Sequence, residues 1–182
     1  MTEEKHNVHN RFDFATWVQK IHKENNQHSP PINVFNIANN EGIDLKYLPK
    51  KKVSERGIEG ELSYANRKKQ WTIYFNGHNT TTRQKFTVAH ELGHYFVHNN
   101  FFQDSSDTMF RDVQWDMAEL QANQFASELL MPVEMVVKEG EKIIDTVETK
   151  NDFISKMAYI FMVSQLAMRF RLINLGILIT DT

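Results

Sequence analysis

Cysteine does not occur anywhere in the 182 residues. Disulfides, thiolate metal sites and cysteine nucleophiles are excluded together. Charge of one sign is also scarce: a formal balance of −2 gives no surface built for a polyanion. No run reaches the roughly eighteen apolar residues that a membrane-crossing helix needs, and the opening "MTEEKHNVHN" is too polar for a secretory signal. These absences lead us to expect a cytoplasmic protein without membrane contact. What is present suffices for one folded domain, since 41% of the chain is hydrophobic and 12% aromatic. With thiols missing, the eight histidines become the main supply of nitrogen ligands and bases.

The apolar periods predict the elements. Phe14, Trp17, Val18 and Ile21 recur at helical spacing over 11–24. Pro31 is expected to open a second helix carrying Ile32, Phe35 and Ala38, which Gly42 stops. "IDLKYLP" alternates like a strand and ends at Pro49 and the lysines after it; "GIEGELSYA" and "QWTIYFNG" read as a hairpin about "NRKK". A helix is predicted from Thr82 to about Asn99, with Thr81 or Thr82 as its N-cap. The polar stretch "NNFFQDSSDTMFRD" reads as a long loop and a candidate gate. "VQWDMAELQANQFASELLMP" then resumes a helical period up to Pro132. Short helices fill 133–175, Gly176 caps the last of them, and "ILIT" is expected to be a closing strand.

Within the first of the two long helices, "FTVAHELGHYFVH" sets polar groups into an apolar segment. Residues four apart differ by one turn, so His90 and His94 project side by side and can hold a divalent ion. Glu91 lies about 100° round the helix, badly placed to chelate with them but well placed to touch a water on that ion, as a general base must. Gly93 costs roughly 1 kcal/mol relative to Ala inside a helix, a penalty that makes sense where another backbone comes close. His98 would sit about 12 Å from His90 along a straight helix, so it suits a supporting role better than a third ligand.

A catalytic zinc site wants three protein ligands and one open position. Glu119 is the favoured third ligand, because it shares a helix face with the small residues Ala122 and Ala126 and with Asn123. Asp112, Asp116 and Glu128 are the rivals; the first two lie at a helix start, where acidic residues are favoured anyway, and Glu128 is expected to face solvent beside Ser127. Asn123, one turn beyond Glu119, could orient a ligand imidazole.

"RQKFTVAHELGHYFVH" and "ELQANQFASELLMP" together resemble the two signatures of the ImmA/IrrE metallopeptidases, and "PINVFNIANNEGIDLKYL" and "IYFNG" extend the resemblance over roughly residues 30–178. The resemblance implies an α+β, zincin-like fold: a small sheet packed on the HExxH helix, with Glu119 as the third zinc ligand. It also implies a cytosolic endopeptidase that cleaves a helix-turn-helix repressor governing a mobile element or a stress response. The expected organisation is an N-terminal helical extension over 1–28, a metallopeptidase core over 29–150, and a helix-turn-helix-like segment over 151–182 packed on the same domain.

The expected site is therefore one zinc ion on His90, His94 and Glu119, with Glu91 as general base and Asn123 and His98 in support. Substrate is expected to add as a strand along an exposed edge of "WTIYFN", which makes Tyr74, Asn76 and Tyr95 candidates for contact with it. Tyr95, His98 and Tyr74 stand open as the oxyanion partner. In "DFISKMAYIFMVSQLAMRFRLINLG", Ser164 would cap a second helix whose Gln165, Arg169 and Arg171 could meet DNA. Two cations among many apolar residues are few for a duplex, so packing or protein contact is the favoured role. The alternative to an enzyme is a regulator-binding protein of the same fold that does not turn over, in a toxin-antitoxin-like or DNA-associated partnership.

Overall fold

The computed structural model describes residues 14–103 and 113–179. Helix α1 (Ala15–Glu24) buries Val18 and Ile21 and sets Trp17 edge-on to Phe96 at 6.0 Å and to Phe125 at 6.1 Å. Helix α2 (Val34–Asn40) starts three residues after Pro31, following a cis Pro30–Pro31 bond. The expected opening at Pro31 is corrected because proline supplies no cap, whereas the Asn33 side chain accepts from the Asn36 N–H at 3.0 Å. Strand β1 (Asp44–Tyr47) follows. The lysines after Pro49 do more than end it: they form α3 (Lys50–Arg56), closed by Gly57 at φ +62°. From α3, Lys52 Nζ reaches Glu61 at 2.6 Å.

Strands β2 (Gly60–Ala65) and β3 (Gln70–Phe75) form the expected hairpin. The sheet order is β1-β3-β2, with β1 parallel and β2 antiparallel to β3. This corrects one expectation outright. The "WTIYFN" strand is central and has a neighbour on each side, so the strand that borders the histidine helix with a free edge is β2.

Helix α4 (Thr81–Gln103) begins at Thr81 itself, so Thr81 and Thr82 lie in its first turn, and Gln84 N–H already donates to Thr80 at 2.9 Å. It also runs four residues past Asn99, into the stretch expected to be a loop; the remainder of that stretch, with Asp112, lies outside the described residues. Helix α5 (Val113–Leu130) stops before Pro132 as predicted. Helix α6 (Val133–Ile143), a 3-10 turn (Ile144–Thr146), α7 (Lys150–Phe161) and α8 (Gln165–Asn174) complete the order. Ser164 caps α8 by accepting from Ala167 N–H at 3.1 Å. No closing strand forms at Ile177 and Leu178. After Gly176, at φ +72°, both N–H groups turn back to the Leu172 carbonyl and satisfy the end of α8 instead.

A single buried cluster joins these pieces, with Val88, Ala89 and Leu92 of α4 against Phe125, Ala126 and Leu129 of α5, under Ile73 of β3 and beside Met168 and Leu172 of α8. At about 1.5–3 kcal/mol per large apolar side chain, that burial is what holds two long helices side by side. Among the described residues no helix is long and apolar enough to cross a membrane.

Candidate metal centre

The floor of the site is the contact between α4 and α5. A Cβ placed on Gly93 would lie 2.9 Å from the Ala122 Cα and 3.0 Å from its carbonyl oxygen, so the helices approach backbone to backbone and only glycine fits there. That approach brings a carboxylate of one helix to two imidazoles of the other. The His90 and His94 Nε2 atoms are 3.1 Å apart. Glu119 Oε2 is 3.1 Å from the first and Oε1 is 3.1 Å from the second. The three side chains offer ligand atoms that all lie within 4.8 Å of one another. Ligands held about 2.0–2.1 Å from a tetrahedral zinc stand roughly 3.3–3.4 Å from each other, so the donor set fits a divalent ion with little adjustment.

Each imidazole is aimed by a second contact. His90 Nδ1 lies 3.0 Å from Asn123 Oδ1. His94 Nδ1 lies 3.3 Å from His98 Nδ1, and His98 Nε2 lies 2.8 Å from Gln121 Oε1. A chain of donors resolves the tautomers: with Gln121 Oε1 accepting from His98 Nε2–H, His98 Nδ1 can accept from His94 Nδ1–H, and His94 Nε2 keeps its lone pair toward the site. Burial, then the neighbouring His90 and His98, hold the His94 pKa down to about 3, so it presents the neutral ring a metal requires. Gln121 is the residue that motif reasoning missed. Its signal was His98 itself, since a buried imidazole that is not a ligand needs a partner of its own.

Glu91 projects from α4 toward β2 and accepts from the Leu62 backbone N–H. Burial, reinforced by the Glu119 charge, pushes its pKa up to about 8, against the opposing pull of that N–H. The space for it comes from Gly60, where a Cβ would lie 2.6 Å from Glu91 Oε1 and 2.5 Å from Thr87 Cγ2.

The three residues expected near substrate are placed elsewhere. Tyr74 sits on the central strand opposite Lys46 and Glu61. Asn76 builds the turn after β3, donating to Glu59 at 3.3 Å and accepting from His78 N–H at 3.0 Å. Tyr95 packs edge-on to Trp71 at 5.6 Å. None of these, nor His98, lines the groove that holds the triad; β2 does, through Gly60, Glu61 and Leu62. Asp116 is exposed in the first turn of α5. Glu128 does not face solvent as expected. It pairs with Arg171 Nη2 at 2.5 Å, and Arg171 Nε donates to the Met131 carbonyl at 2.8 Å. The neighbouring α8 brings that guanidinium down onto α5, which leaves only Gln165 and Arg169 of the three residues considered for DNA on the exposed surface.

The α+β architecture, in which a two-histidine helix and a glutamate helix meet against a small sheet, is that of a metallopeptidase-type domain fold. The chain belongs to the family of IrrE N-terminal-like domains, which it matches over residues 38–173, in agreement with the resemblance seen in its two signatures. It is similar to Metallopeptidase ImmA of Bacillus subtilis (strain 168), at 32% identity over 107 residues, 57% of either chain. Its fold is also similar to that of a Mycobacterium tuberculosis transcriptional regulator, with a TM-score of 0.61 at 14% identity, over 88% of this chain and 46% of that one. The aligned region thus spans little more than half of the curated relative and under half of the solved one.

Proposed function

We propose that the protein is a zinc-dependent endopeptidase whose substrate is a helix-turn-helix transcriptional repressor. The observation that carries this reading is the meeting of His90, His94 and Glu119 from two helices, with the buried Glu91 carboxylate beside them. Two imidazoles and one carboxylate suit zinc among the common divalent ions. Zinc held there would supply Lewis acidity to the scissile carbonyl and to a water. Glu91 is the proton acceptor, because its carboxylate stands beside the ligand set, next to His90 on the same helix, where it can take a proton from that water and return it to the leaving amine. Asn123 and His98 hold the two rings in register. Substrate lies along β2, whose outer backbone groups alternate through Gly60, Leu62 and Tyr64; the Leu62 N–H is already engaged by Glu91. The repressor as substrate follows the family resemblance, and the match to a metallopeptidase supports a protein target.

The test is incubation with candidate helix-turn-helix repressors, beginning with any encoded next to its gene, read by intact mass. Fragments should form, vanish with chelator and return with zinc. Glu91→Gln should keep zinc and lose cleavage, and His94→Ala should lose both. Stable co-purification with no fragments under any metal condition would replace this reading with that of a binding protein.

A further inference from the structure

The groove that contains the triad has a volume of about 1970 Å³ and does not end at the metal ligands. It continues along α5 to α8, where Leu166 and Phe170 stand one turn apart, 63% and 57% exposed. Met117 and Leu120 of α5 line the same groove at 46% and 49% exposure. Four large apolar side chains held in water within one concavity mark a surface that is covered in use. The helix cannot turn them away. Arg171, next to Phe170, is buried and fastened to Glu128 and to the Met131 carbonyl, which fixes the orientation of α8 toward the groove.

Continuity of this surface with the triad says what covers it. A protein chain whose scissile carbonyl reaches His90, His94 and Glu119 occupies the groove, and the residues flanking its cut site extend to α8. We infer that α8 is the specificity wall of the site, on which Leu166 and Phe170 receive apolar side chains of the protein substrate close to the scissile bond. The inference rests on the peptidase reading above. It assigns the second helix of the helix-turn-helix-like pair to reading a polypeptide, with Met117 and Leu120 completing the apolar surface.

The experiment uses the full chain carrying Glu91→Gln and loaded with zinc, so that binding is read without turnover. Labelled overlapping fifteen-residue peptides tiling the repressor, and a second set tiling β-casein as an unfolded apolar-rich probe, are titrated by fluorescence anisotropy. The tightest binders should be rich in apolar residues. Adding Leu166→Ser with Phe170→Ser should weaken them by about tenfold or more, while Leu166→Met with Phe170→Leu restores affinity and zinc binding and melting stay unchanged in both. Equal affinity in the serine variant, or no peptide bound by the parent, would overturn the inference; so would sedimentation showing that these side chains instead bury against a second copy of the chain. Binding that depends on α8 in a zinc-loaded wild type that cleaves none of the peptides would sink the peptidase reading and leave the docking surface standing.

Discussion

At the scale of single residues, Glu91 carries a measurable burden. Its carboxyl pKa in the metal-free fold is about 8, against 4.5 for an ordinary glutamate. Between those values the folded protein holds a proton that the unfolded chain has lost, so the contribution of Glu91 to stability is fully present below about pH 4.5 and disappears as pH rises through about 8. His94, held down to about 3 from 6.5, acts in the opposite sense below about pH 6.5. We therefore expect the urea midpoint of the metal-free protein to fall mainly between about pH 6.5 and 8 and Glu91→Gln to flatten that fall; identical slopes there would show that the carboxyl is not strained by burial. Gln121 offers a second test. As the acceptor that ends the His94–His98 chain, its replacement in Gln121→Ala should weaken zinc about 10–100-fold, with Gln121→Glu retaining most of the affinity, as read by competition with a chromophoric chelator. Unchanged affinity in the alanine variant would mean the chain of contacts does not aim His94. How much of this was legible in sequence differs by residue. His90, Glu91 and His94 are visible because their spacing is fixed by one helix. Gln121 is not, because its partner lies 23 residues away on another helix.

At the scale of elements, the distance between α4 and α5 sets the size of the ligand set. Gly93→Ala would press a methyl into the Ala122 backbone, and since neither helix backbone can yield locally, the helices must separate by some tenths of an ångström. The outcome expected is a loss of zinc affinity of tenfold or more together with about 1–3 kcal/mol of stability, measured by chelator competition and urea unfolding; a variant with wild-type affinity would show that the spacing is not critical. The small residues at 93, 122 and 126 make that close approach readable from the sequence alone. Strand order is not readable in the same way. Local alternation identifies β2 and β3 as strands, but nothing in either one says that β1 takes the far side of β3 and leaves β2 bordering the groove. Helix α3 escapes for a related reason, since a lysine-rich segment of seven residues shows no apolar period.

At the scale of the whole molecule, the ligands come from two helices that also supply the centre of the core. Metal bound only by the folded state stabilises it by about 2.7 kcal/mol at a free concentration of 100 times Kd. Zinc should therefore raise the melting temperature of the entire domain in one transition, chelator should lower it, and His94→Ala should abolish the difference; a metal-independent melt would place the ions elsewhere. The ion pair between Glu128 and Arg171 reaches across 43 positions of sequence and ties the far end of the chain to the helix that bears Glu119. Exchanging the terminal helical pair for that of a relative would thus succeed only when the incoming segment brings a basic side chain to meet the acid at 128. Two distant positions must be inherited together, and a graft that splits them would strand a charge in the floor of the cleft.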